Sequence, residues 1–165
     1  MFTTVNDFLQ EWKQEAALTQ KILNALTDES LKEAVSQELY SLGSVAWHIT
    51  GATYYFPAQV GVSFEVPDLR KSAPSSATEI SDTYKTISGR LVEAVSEQLS
   101  DDKMSEMVNV FGMEMPMQSL FRLLIQHQAH HRGQLTVLMR QAKLKVPGVY
   151  GPSKEEFEAM NASKN

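Results

Sequence analysis

Apolar residues recur every three or four positions along four long stretches of the chain, a spacing that predicts four amphipathic helices. The first covers about Asn6 to Leu26, with Val5, Phe8, Leu9, Trp12, Ala16, Leu23 and Leu26 on one stripe. The second covers about Ser41 to Val60; Val45, His48, Ile49, Ala52, Tyr55 and Phe56 form its apolar side, and Pro57 ends or kinks its last turn. The third opens on the capping-box pattern Ser76-x-x-Glu79 and runs to about Leu99, carrying Ile80, Tyr84, Ile87, Leu91 and Val95 on its stripe. The fourth starts at Pro116, a residue suited to a first helical position, and its pattern extends to Leu144.

The intervening segments read differently. Residues 31–40 show no sustained period. Residues 104–115 alternate around Met107 to Val110, with Gly112 as a turn residue, and predict a small β-hairpin or an extended loop. After the fourth helix, Pro147-Gly148-Val149-Tyr150-Gly151-Pro152 is a stiff connector, and Ser153-x-x-Glu156 caps a short final helix. The expectation is an all-α fold: one four-helix bundle over residues 1–165, with a hairpin or extended loop before helix four and a short C-terminal helix. At 165 residues the chain is long enough for one substantial core and short for two.

Composition narrows the chemistry. Fifteen Lys and Arg against 20 Asp and Glu give a net charge of -5, the wrong sign for a dedicated nucleic-acid binder. No stretch is apolar enough to span a membrane and no secretory signal is visible, so a cytoplasmic protein without nucleic-acid or membrane partners is expected. There is no cysteine, which excludes disulfides, thiolate metal sites and a cysteine nucleophile. Any transition-metal site or proton transfer near neutral pH must draw mainly on four histidines: His48, His127, His130 and His131.

Their spacing is informative. At about 100° per residue, His127 and His131 fall about 40° apart on the fourth helix, on the stripe of Leu120, Leu124, Leu135 and Leu138. His48 lies between Val45 and Ala52 on the inward side of the second helix, and His130 stands at the margin of the stripe. Three imidazoles converging on an apolar interior need partners and repel one another when charged; a divalent cation accepts all three as neutral ligands and keeps an open position. A surface pair or a hydrogen-bonded core pair is the competing reading of histidines at i, i+4. Gln128 stands where the zinc-protease pattern H-E-x-x-H has its general base, so that mechanism is not supported, and no Glu-x-x-His pair exists for a carboxylate di-iron site.

The run Ser41-Leu42-Gly43-Ser44-Val45-Ala46-Trp47-His48-Ile49, followed about 80 residues later by His127-x-x-x-His131-Arg132-Gly133-Gln134, resembles the DinB-like / YfiT-like metal-binding four-helix bundles. The resemblance extends to helix order over nearly the whole chain. It implies that His48, His127 and His131 ligate one divalent ion (zinc, nickel or iron in different members), that homodimers form, and that the substrate is a small molecule. It further implies metal-dependent hydrolysis or thiol S-transfer, the latter with a low-molecular-weight thiol. A non-catalytic bundle with a structural metal, or a metal-free interaction bundle, is the alternative.

Further residues carry expectations of their own. Arg122, Arg132, Arg140 and Lys143 are read as a solvated face, and His130 as a residue packed at a helix interface. Gly133, costly within a helix, suggests close approach of a neighbouring helix or second subunit. Gln134 is read as structural, with contact to a ligand or a metal-bound water as the sharper alternative. Glu114 is the one acidic candidate for a general base. Met104, Met107, Met113, Met115 and Met117 suggest packing against the bundle, or an adaptable contact surface.

Overall fold

The computed structural model describes residues 2–163. Helices α1 (Val5–Leu23), α2 (Leu42–Ala58), α3 (Ala77–Gln98) and α4 (Met117–Gln141) form the bundle, and α5 (Lys154–Ala162) follows as a short C-terminal helix. Within the bundle, α1 packs on α3 and α4, and α2 packs on the same two helices. Their apolar stripes meet in a core that includes Phe8, Trp12, Ile22, Leu42, Ile49, Ile80, Tyr84, Leu91, Phe121, Leu124, Leu135 and Met139.

Local chemistry sets the helix ends. Thr4 and Asp7 make a reciprocal capping box on α1, as do Ser153 and Glu156 on α5. Two carboxylates arrive from distant segments: Asp101 accepts from the Val5 amide at 2.8 Å, and Asp28 accepts from the Ala77 amide at 2.7 Å. Each places negative charge at a helix N-terminus, where exposed amides favour it.

The predicted hairpin forms: β1 (Met107–Val110) pairs antiparallel with β2 (Met113–Pro116), Val110 opposite Met113. Phe111 and Gly112 make the two-residue turn with φ of 53° and 82°. A two-residue loop with positive φ at both positions matches the twist of the strands it joins. Its methionines divide, with Met104 and Met117 buried and Met107 and Met113 exposed.

Two helix ends fall short of their sequence pattern. The apolar spacing continues to Leu26, but α1 stops at Leu23 and Leu26 is buried from a turn. The α4 pattern continues to Leu144, yet Lys143 adopts φ 60° and the Leu144 amide folds back to the Met139 carbonyl at 2.9 Å. A lysine in the left-handed stop position, normally a glycine role, hides this C-terminus from the sequence. Pro116 is the residue before α4 rather than its first residue.

Candidate metal centre

The site lies where α2 meets α4. Ser41 caps α2 by accepting from the Ser44 amide at 3.2 Å. Gly43 lets the helix start press on Leu31, since a Cβ there would lie 3.1 Å from both the Leu31 Cβ and its carbonyl oxygen. This docking sets the register that carries His48 to α4. The Nε2 of His48 lies 3.0 Å from Nε2 of His127, which lies 3.1 Å from Nε2 of His131. The three residues offer ligand atoms all within 4.8 Å of one another, the one such cluster of metal-ligating side chains among the described residues.

Two nitrogens held on one tetrahedral ion at about 2.05 Å would be about 3.3 Å apart, close to the spacing found. Gln134 fixes the orientation of one ring: its carbonyl oxygen sits 2.6 Å from Nδ1 of His131, so Nδ1 carries the proton and Nε2 presents a lone pair. His127 Nε2 then faces two neighbours and makes at most one good hydrogen bond, whether it gives or accepts. Its other nitrogen, Nδ1, is buried with no hydrogen-bond partner among the described residues. Three ring nitrogens that converge on one point and cannot all be paired with one another make a donor set that fits a cation.

Charge state agrees. Burial, then the charge of His131, His48 and His130, lowers the His127 pKa to about 4. Burial also lowers His48, with His131 adding to it, and lowers His131 despite the opposing Gln134 hydrogen bond. Metal ligation requires neutral imidazole, so these rings are poised as ligands near pH 7.

The trio is not interior, as the helical wheel suggested. His48 is exposed and His127 and His131 are half-buried. The centre of the buried stripe on α4 is Gln128, fully enclosed, with the histidines on its margin. A stripe drawn from apolar residues alone misses a buried amide. Phe56 rests on the His127 ring at 5.0 Å between centroids, and Phe111 at the hairpin tip rests edge-on against Phe56 at 5.6 Å. These rings wall one flank of the site, and Phe111 was not foreseen; an aromatic residue in a left-handed turn position was the available signal.

Other expectations are corrected. Arg132 does not belong to a solvated face: its side chain is 2% exposed and ion-paired with Glu15 of α1. It also donates to the Glu15 carbonyl and the Thr19 hydroxyl, both at 3.0 Å, and reaches the Tyr150 hydroxyl in the connector before α5. Tyr150 in turn donates to Glu15 at 2.8 Å. Arg122 is partly shielded in a pair with Glu11, whereas Arg140 and Lys143 are exposed. His130 is exposed and touches the His131 ring at 4.8 Å rather than packing between helices. No neighbouring helix of the chain closes on Gly133, where an added Cβ would meet nothing within 4 Å among the described residues; the second-subunit reading of this glycine is a separate one. Glu114 is exposed on β2 opposite Asn109 and is not part of the cluster.

Comparison with known proteins agrees with this architecture. The DinB family pattern matches residues 1–164. The uncharacterized protein YrdA of Bacillus subtilis (strain 168) is 46% identical over 157 residues, which is 95% of this chain and 94% of that protein. The crystal structure of a DinB-like protein from Bacillus cereus superposes with a TM-score of 0.86 at 43% identity, covering 91% of this chain and all of the other. A second DinB-like protein, YjoA of Bacillus subtilis, shares the fold with a TM-score of 0.68 at 16% identity, covering 87% of this chain and 96% of the other. No helix among the described residues is long and apolar enough to cross a membrane.

Proposed function

The chain belongs to the DinB family, and from that premise we propose that it is a metalloenzyme acting on a small molecule, with His48, His127 and His131 holding one divalent ion. The observation that carries this reading is the Nε2 trio with His131 oriented by Gln134. Zinc and nickel suit an all-imidazole set best, and iron is compatible. Bound there, the ion supplies Lewis acidity that lowers the pKa of a water or thiol at its open position.

The protein's own residues define what that position meets. His48 is exposed, so the trio opens to solvent instead of closing around an ion, which favours a reactive site over a structural one. Phe56 covers the His127 ring on one flank, with Phe111 resting against it. Gln134 keeps the His131 lone pair aimed at the cluster. No carboxylate stands among the three rings, so the site itself provides no obvious general base, and with no cysteine in the chain any thiol must come from a cofactor or substrate. Hydrolysis and thiol S-transfer both fit; the second asks for no general base from the chain, since a thiol ligating such an ion would release its proton to solvent.

Metal analysis of protein purified without a histidine tag tests the reading. About one equivalent of divalent metal per chain is expected, lost in His48→Ala and His131→Ala and kept in His130→Ala. Less than about a tenth of an equivalent after incubation with zinc and with nickel would overturn it.

A further inference from the structure

A cleft of about 300 Å³ lies between the segment before α2 and the two helices that carry the histidine trio; it is linked to the trio through Gln134, and none of the three histidines lines it. Val35, Leu39 and Tyr40 line it from the segment before α2, Val45 from α2, and Val137 and Leu138 from α4. Gln134 lines it as well, and this is the residue whose carbonyl oxygen holds His131. Its amide nitrogen, with no partner among the described residues, remains available to donate into the cleft.

Val35, Leu39, Tyr40 and Val137 are exposed although apolar or aromatic. Scattered exposed apolar residues are ordinary, but here they come from two separate segments and surround one concave volume with a polar group at its edge. That volume is at the lower limit for ligand pockets, which combine apolar walls with a few placed polar groups. Val45 lies one turn before His48 and Gln134 one turn after His131, so the cleft and the trio share the same two helices.

Resting on the metal-site reading above, we propose that this cleft is the substrate's apolar subsite. It takes a short aliphatic chain whose oxygen-bearing head passes the Gln134 amide and rounds the edge of the His131 ring to reach the Nε2 side, where the three ligand nitrogens converge. A single aliphatic chain suits the narrow volume and its mainly aliphatic walls. Gln134, on the Nδ1 side of His131, marks the end of the cleft nearer the trio.

Hydroxamates test this, because their head group ligates metals while the chain length varies. Calorimetric titration of the zinc-loaded protein should show octanohydroxamate binding at least about tenfold tighter than acetohydroxamate, since each buried methylene contributes roughly fourfold. Val137→Asp and Leu39→Asp should each remove that preference. Equal affinity for the two hydroxamates, or a preference that survives both substitutions, would overturn the proposal. So would a dimer in sedimentation that Val137→Asp dissociates, with no chain-length preference, because a second copy would then fill the cleft. If the protein takes up no zinc, the metal reading fails separately. The cleft is then judged by octanoate against acetate on the same protein: a preference for octanoate lost in Val137→Asp supports it, and no difference overturns it.

Discussion

Two pairs of neighbours on α4 met opposite fates. His127 and His131 sit at the rim, while Gln128 and Arg132, each one residue further on, lie in the middle of the bundle. The interior pair is richly partnered. Gln128 accepts from the Thr19 hydroxyl at 3.1 Å and the Tyr84 hydroxyl at 3.2 Å, and donates to the Ile49 carbonyl at 3.2 Å and the Thr53 hydroxyl at 3.3 Å. One amide thereby joins all four bundle helices. Burial holds the Tyr84 hydroxyl well above its ordinary pKa, so it stays a donor. Through Thr19 this network continues to Arg132, Glu15 and Tyr150. For hydrogen bonds among the described residues the rim pair has only His48, Gln134 and each other. Polar groups completed from within the chain are architecture; polar groups left incomplete at a surface call for something from outside.

The contrast predicts that damage to the interior pair is read as stability and damage to the rim as binding. The largest effect should come from Arg132→Ala, which strands the Glu15 carboxylate against α4. A loss of about 3–5 kcal/mol in urea denaturation is expected. Replacing both partners, as Arg132→Met with Glu15→Leu, should recover much of that loss, because no buried charge is then left alone. A loss under about 1 kcal/mol in the single variant would show that the pair contributes little beyond a surface ion pair.

Next in size is Gln128→Glu, which writes the zinc-protease pattern into α4. A carboxylate can accept from Thr19 and Tyr84 but cannot donate to the Ile49 carbonyl, so about 2–3 kcal/mol of stability should be lost. Metal content should not change and no peptidase activity should appear, since the side chain at 128 is fully enclosed among Thr19, Ile49, Thr53 and Tyr84, inside the bundle and away from the open face of the histidines. Peptidase activity in this variant would mean the two faces communicate, and the contrast between them would fail.

These two residues also show where sequence reading stopped. Helix positions, the hairpin and its Gly112 turn, the Ser153–Glu156 capping box, the Ser76 cap on α3 and the histidine trio were legible because each depends on residues close in sequence or on one helical period. Arg132 was misplaced on a solvated face, and the buried role of Gln128 is not visible in the sequence, because their partners, Glu15 and Thr19 on α1 and Tyr84 on α3, lie 44 to 117 positions away. Polarity alone reads as solvent exposure until the packing of α1 against α4 is known. The reverse held for His127 and His131, placed in the interior because their leucine neighbours are there.

A smaller effect should distinguish the rim by pH. His127 is held near about 4 when folded against 6.5 as the ordinary value. Between those limits the unfolded chain binds a proton that the folded chain does not, so the stability of chelated protein should be level above about pH 7 and fall as pH drops from 6.5 toward 4. Denaturant midpoints across pH 4–8 measure this, and a midpoint rising on acidification from 7 to 5 would contradict the assignment. His127→Ala should flatten the slope, whereas Gln128 variants should leave it in place.

The smallest change concerns the residue between these groups and Gln134. Gly133 stands exposed in the helix with open space where a Cβ would go. Alanine there should stabilise the isolated chain by about 1 kcal/mol, since glycine loses more backbone freedom on helix formation. For a domain of this size the melting temperature should rise by roughly 2–4 °C. His127, His131 and Gln134 keep their positions, so metal content should be unchanged. If Gly133→Ala instead lowers stability in a concentration-dependent way, a second molecule packs against this turn. The rim would then be completed by a partner subunit as well as by an ion, and its division from the interior would be one of assembly rather than of chemistry alone.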